Sequence, residues 1–195
     1  MDSKQIPIFP LYTVLFPGGL LPLKIFEARY LDMISQCLKS NSGFGVSLIR
    51  EGSEVGKAAN VVDVGVIANI VDWQQRQDGL LGITAIGDQR FKINSVAIQE
   101  NQLLIAEVDV LRKSDIFGVP VKYRILIDVV KRLMVNVDRH HVNMEMNYGD
   151  ADWLANRLSE LLPIELHHKQ QLLEIDDVLE RLDLLYGMIE GMEVF

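Results

Sequence analysis

Leu21-Pro22-Leu23-Lys24-Ile25-Phe26-Glu27-Ala28-Arg29-Tyr30 is the stretch where the chain changes its period. Up to Ile25, apolar residues alternate with polar ones or with proline. From Tyr30 onward, Tyr30, Met33, Ile34, Cys37 and Leu38 recur at spacings of three and four, while Glu27, Arg29, Asp32 and Lys39 take the other faces. That pattern predicts an amphipathic helix with one buried face, closed by Ser40-Asn41-Ser42-Gly43. Upstream, Ile6-Pro7-Ile8-Phe9-Pro10 has the same proline-broken texture as Leu20-Leu21-Pro22-Leu23. Proline lacks the N–H that a central strand donates, so both segments are expected to be short edge strands. Pro17-Gly18-Gly19 reads as the turn between them.

Beyond the helix the texture is β as far as Arg112. Strands are expected over Phe44–Ile49, Val61–Val71, Leu80–Ile86, Arg90–Val96 and Leu103–Leu111, with Gly87-Asp88 and Asn101-Gln102 as hairpin connections. No helical pattern of 10–15 residues separates them, which argues for a mostly antiparallel barrel or sandwich over a parallel βαβ sheet. After Pro120 the period is helical, through Tyr123, Leu126, Ile127, Val130 and Leu133. It continues through Trp153, Leu154, Leu158, Leu161 and Leu162, then Leu172, Leu173 and Ile175, then Val178, Leu179, Leu182, Leu185 and Ile189. Asp150 and Asp176 are the expected N-caps. Val135–Asp150 has no clear period and reads as a link between helices. The domain reading is a β lobe over 1–115 and a helical lobe over 116–195.

The chain has 195 residues and a net charge of −8. That is long enough to bury a core without metal or disulfide staples. Residues 151–195 carry 10 acids and 3 bases, whereas residues 1–150 are nearly neutral with 17 acids and 16 bases. Such a balance disfavours polyanion binding, which needs Lys and Arg concentrated on one face. No run approaches the ~18 apolar residues of a membrane span, and Met1 to Pro10 does not read as a signal peptide. Cys37 is the sole cysteine, so a cytoplasmic location is expected.

The candidate chemistry is sparse. Gly52-Ser53-Glu54-Val55-Gly56-Lys57-Ala58 resembles a phosphate loop but has three residues between its glycines where four are needed, and Ala58 where a Mg²⁺-binding hydroxyl belongs. The histidines form two adjacent pairs, His140-His141 and His167-His168. Neighbours in a helix point about 100° apart, so surface or capping roles are expected over metal binding. No G-x-S-x-G elbow is present, and Cys37 falls on an apolar helix face. Neither a cofactor nor a metal site is expected. Trp73 ends an apolar strand and precedes Gln74-Gln75-Arg76-Gln77, which makes it a candidate exposed aromatic.

Together Ile6-Pro7-Ile8-Phe9-Pro10-Leu11, Val14-Leu15-Phe16-Pro17-Gly18 and Leu21 to Tyr30 resemble the opening of the Lon protease N-terminal domain. Phe44-Gly45-Val46, Val64-Gly65, Gly79-Leu80-Leu81 and Gly87-Asp88-Gln89-Arg90-Phe91 continue the likeness, as do Asp152-Trp153-Leu154-Ala155, Leu161-Leu162-Pro163, Lys169 to Glu174 and Glu180-Arg181-Leu182. The resemblance implies an α+β fold: a PUA-like β pseudo-barrel with one embedded helix, followed by an α-helical lobe, the two making one Lon N-terminal-type domain. Full-length Lon adds a P-loop ATPase and a protease domain with a Ser-Lys dyad. This chain ends at Phe195 and has no intact P-loop, so it is expected not to be an enzyme.

The function expected is a non-catalytic protein- or peptide-binding module that engages exposed or misfolded polypeptide. An RNA-binding PUA-like protein and an accessory adaptor subunit of an ATP-dependent protease are the alternatives. Expected partners are polypeptide clients or a partner protein, with a homodimer as a further state, and neither nucleic acid nor membrane. Leu15, Phe16 and Trp73 are the expected exposed contact residues, because large apolar groups followed by turn or polar residues make hot spots.

Overall fold

The computed structural model describes residues 3–135 and 146–191. The chain divides into two compact units, Met1–Arg112 and Lys113–Phe195. The link expected over Val135–Asp150 falls largely on undescribed residues, His140, His141 and Met144 among them.

In the first unit the strands are β1 (Ser3–Leu11), β2 (Leu20–Ile25), β3 (Phe44–Glu51), β4 (Asn60–Val61), β5 (Val64–Gln75), β6 (Leu81–Ile98) and β7 (Leu104–Val110), with one helix, α1 (Ala28–Ser40), between β2 and β3. They form a single sheet with the order β1-β7-β6-β5-β3-β4. β2 pairs with β6, and β3 also pairs back onto β1. All pairings are antiparallel except β1 with β3. Ile6, Ile8, Ile67, Phe91, Leu104, Ala106 and Val108 pack together as a buried cluster. α1 buries Tyr30, Met33, Ile34 and Cys37 and stops at Asn41, whose φ of 49° is the left-handed cap conformation that Asn tolerates well.

Two strand expectations change. β1 is not a short edge strand. Its residues Ser3–Ile8 pair with β7 and Ile8–Leu11 pair with β3. Away from Ile8 each half has one partner, so the nitrogens of Pro7 and Pro10 can face the unbonded side. Gly87-Asp88 is not a hairpin, because β6 runs through it for 18 residues. On either side of Gly87, β6 changes partner: Leu81–Ile86 pairs with β2, and Phe91–Ile98 pairs with β7. Gly87 exchanges hydrogen bonds with the crossing 16–19 loop, Gly18 N–H donating to its carbonyl at 2.7 Å and its own N–H donating to Gly19 at 2.9 Å. A Cβ there would lie 2.3 Å from the Phe16 carbonyl oxygen. The glycine marks a close backbone approach, which reads in sequence like a turn.

The second unit has a short 3-10 turn (Val121–Tyr123), then α2 (Ile125–Met134), α3 (Ala151–Leu161), α4 (Leu166–Glu174) and α5 (Val178–Glu190). The fold over the described residues is thus mixed α and β, with one sheet and five α-helices. Asp150 caps α3, its carboxylate accepting from Asp152 N–H at 3.0 Å. The cap of α5 is Asp177 rather than Asp176, accepting from Leu179 N–H at 2.7 Å, a shift of one residue in a pair of adjacent acids. α3 is buried nearly all round, and two of its polar side chains, Asp152 and Asn156, are bridged to α5. Arg181 donates to Asn156 Oδ1 at 2.7 Å and to Asp152 Oδ1 at 2.5 Å. Asn156 in turn donates to Asp152 Oδ2 at 3.0 Å.

Candidate functional site

The stretch that sets the period change also lines a cleft. After Ile25 the chain must leave β2 and start α1 within two residues, so Ile25 and Phe26 cannot both face inward. Ile25 is buried and Phe26 is 55% exposed. The floor of the cleft is Phe9 and Leu11 of β1, Ile25, and Tyr30 of α1, and its rim is Phe26 and Val55. Its volume is about 180 Å³. Small-ligand pockets begin at roughly 300 Å³, so this space suits one anchoring side chain. Phe9 stacks on Tyr30 with ring centroids 4.0 Å apart, and Arg29 lies 4.5 Å from the Tyr30 ring centroid. Burial pushes the Tyr30 phenol up to about 12, so it stays neutral.

The charged groups around the cleft already have partners. Glu27 pairs with Arg29 at 3.1 Å and accepts Gly56 N–H at 3.2 Å. Glu54 accepts Tyr12 N–H, and the Tyr12 hydroxyl donates to the Gly52 carbonyl, each at 2.6 Å. Lys24 pairs with Asp78 at 2.8 Å. The loop that looked like a phosphate cradle thus gives a backbone N–H to a carboxylate of its own chain. With its charges paired internally, the cleft offers apolar surface and little unspent charge.

Trp73 is 61% exposed, as its polar surroundings in sequence suggest. Register places Trp73 opposite Ile83, and Ile83 opposite Leu23. Directly paired residues share a sheet face, so Trp73 stands in one row with Leu23, which lines the cleft. Among the described residues, β5 from Asn69 to Gln75 has β6 as its sole partner, leaving the other edge of this half-strand open. Leu15 and Phe16 are placed differently from expectation. They are 4% and 0% exposed, because their loop passes over Gly87 and packs inward. The bulky pair ahead of Pro17 is core. Sequence reasoning missed Phe26 and Val55. The Ile25-Phe26 doublet at a strand end was the available signal for the first. Val55 carried none, since its place depends on the loop's contacts with distant Glu27 and Tyr12.

The family model for the substrate-binding domain of the ATP-dependent protease La (Lon) matches residues 5–191. The chain belongs to the Lon substrate-binding domain family. A Lon protease of Haemophilus influenzae is 28% identical over 97% of this chain, and a "Lon protease 2" of Herpetosiphon aurantiacus is 31% identical over 92%. The chain spans about a quarter of the length of these curated relatives, 24% and 23% respectively. A solved Lon N-terminal domain protein from Xanthomonas campestris superposes with a TM-score of 0.80 at 29% identity, covering 94% of this chain and 98% of that one. The N-terminal domain of the Mycobacterium avium complex Lon protease shares the fold, with a TM-score of 0.63 at 21% identity over 94% and 97%. The Lon-family match includes every residue of the cleft and Trp73.

Proposed function

We propose that this chain is a non-catalytic recognition module that holds extended, apolar stretches of polypeptide on its β unit. The carrying observation is the exposed Trp73 in one sheet row with Leu23 at the cleft, beside an open strand edge. An extended segment can add to such an edge through backbone hydrogen bonds while alternate side chains enter pockets. Here the pocket at the Phe26 and Val55 rim would take one large apolar side chain, and Trp73 would cover another. Membership of the substrate-binding family supports the reading. The finer architecture we infer is a PUA-like pseudo-barrel, supported by the pairing path β1-β7-β6-β5-β3 that returns to β1.

The test is fluorescence anisotropy with a labelled, permanently unfolded casein-like polypeptide. Trp73→Ala and Phe26→Ala are each expected to weaken binding about tenfold, or ~1.4 kcal/mol, without shifting the melting temperature. Unchanged binding by the double variant would overturn the site.

A further inference from the structure

We propose that Glu165, His167 and His168 form a site for one divalent transition-metal ion of the zinc class. One ligand atom from each of these residues lies within 4.8 Å of the others, the one such trio among the described residues. The two imidazole rings have centroids 3.8 Å apart, tilted by 41°. The expectation from sequence was that adjacent helical histidines diverge by about 100°. That angle holds at the backbone, and the rings, further out in the first turn of α4, come together.

The carboxylate belongs to the same trio, and its orientation adds to the geometry. Glu165 is the N-cap residue of α4, yet its side chain makes no cap hydrogen bond to the helix. It turns instead to His167 Nδ1, at 3.0 Å. Ligands held about 2.0–2.1 Å from one zinc-like ion lie roughly 3–3.5 Å from each other, so this pair is already at ligand spacing. The Glu165 and His167 side chains are exposed and His168 is half-buried. Two imidazole nitrogens and a carboxylate oxygen form a borderline donor set, suited to zinc, nickel, cobalt or copper over magnesium or calcium. Three protein ligands leave at least one position for water. The surrounding sequence favours a cation as well, since residues 151–195 carry 10 acids and 3 bases. The site does not depend on the peptide reading of the β unit.

The test is calorimetric titration of the untagged, metal-stripped full chain with zinc ion alone. One saturable equivalent is expected. The double substitution His167→Gln/His168→Gln should weaken it at least tenfold with an unchanged far-UV circular dichroism spectrum, and Glu165→Gln should weaken it less. His140→Gln/His141→Gln, at the other histidine pair, should leave it intact. Absence of saturable binding, no change in the first double variant, or loss in the second would overturn the proposal. Should the first double variant fold poorly, imidazole NMR signals of the unmodified chain decide: shifts of His167 and His168 on adding zinc support the site, and unmoved signals overturn it.

Discussion

Phe16 and Trp73 are both large, apolar and followed by residues that break or polarise the chain, yet they occupy opposite environments. Phe16 is fully buried, so Phe16→Ala removes packed ring and leaves a cavity. The expected loss is about 3–5 kcal/mol in urea unfolding. Trp73→Ala removes a mostly exposed ring and should move stability by no more than ~0.5 kcal/mol, while weakening client binding. Comparing the two variants in one denaturation series separates a core role from a contact role. Gly87 gives a third residue-scale test. Its missing Cβ makes room for the Phe16 carbonyl oxygen, which a methyl would meet at 2.3 Å. Because the clashing atom is backbone, it cannot rotate away. Gly87→Ala is expected to cost about 1–3 kcal/mol, as overpacking does, read from the same urea curves.

Among the elements, Arg181 of α5 is fully buried and bridges to Asp152 and Asn156 of α3. Removing Arg181 empties a fully buried site and takes the cation from Asp152, a carboxylate that is only partly buried. Arg181→Ala is therefore expected to destabilise by about 3–5 kcal/mol, whereas Arg181→Met, which keeps the packing volume but still takes the cation from Asp152, should cost less. Thermal unfolding of both variants checks the order. In the β unit, Lys24 of β2 holds Asp78 of the β5–β6 connection. The Lys24 hydrogen bond, then the Leu80 N–H, lowers the Asp78 carboxyl to about 2. A depressed folded value means that the tie is complete above the usual range near 4 and fades as pH falls through about 2. A carbon-detected NMR titration should place its midpoint there. The elements themselves were largely readable. Periodicity is a local property, so α1 and the helices after Pro120 followed from the spacing of Tyr30, Met33, Ile34 and Cys37 and of their later counterparts. Asn101-Gln102 was readable as a turn from its polar residues between two apolar strands, and Gln102 there takes a positive φ of 68°. What stayed hidden was non-local. Nothing near Pro7 says that β1 changes partner at Ile8, and nothing near Asp88 says that the 16–19 loop crosses over Gly87. The cleft was hidden for the same reason, since its walls come from β1, β2, α1 and the 52–58 loop.

On the scale of the whole chain, the question is which polymer the molecule engages. The net charge of −8 is concentrated in residues 151–195, and residues 1–150 are near neutrality. No described helix is long and apolar enough to cross a membrane. Nucleic-acid binding draws its free energy from counterions released as Lys and Arg neutralise phosphates, so its affinity falls steeply with salt. Burying an apolar side chain in the Phe26 cleft releases no counterions, and excluded salts strengthen such burial slightly. The two modes therefore respond to salt in opposite directions. Binding of an unfolded apolar polypeptide is expected to hold or strengthen as sodium chloride rises from about 50 to 200 mM, the range over which phosphate-dependent complexes lose roughly 10³–10⁵ in affinity. A single-stranded RNA of similar length, measured by anisotropy in the same buffers, should bind weakly at the low end and not at the high end. Salt-resistant RNA binding, or polypeptide binding that collapses with salt, would place recognition on charge and away from the Trp73–Leu23 row. Trp73→Ala provides the internal check, since it should weaken polypeptide binding about tenfold at every salt concentration and leave the RNA signal as it was.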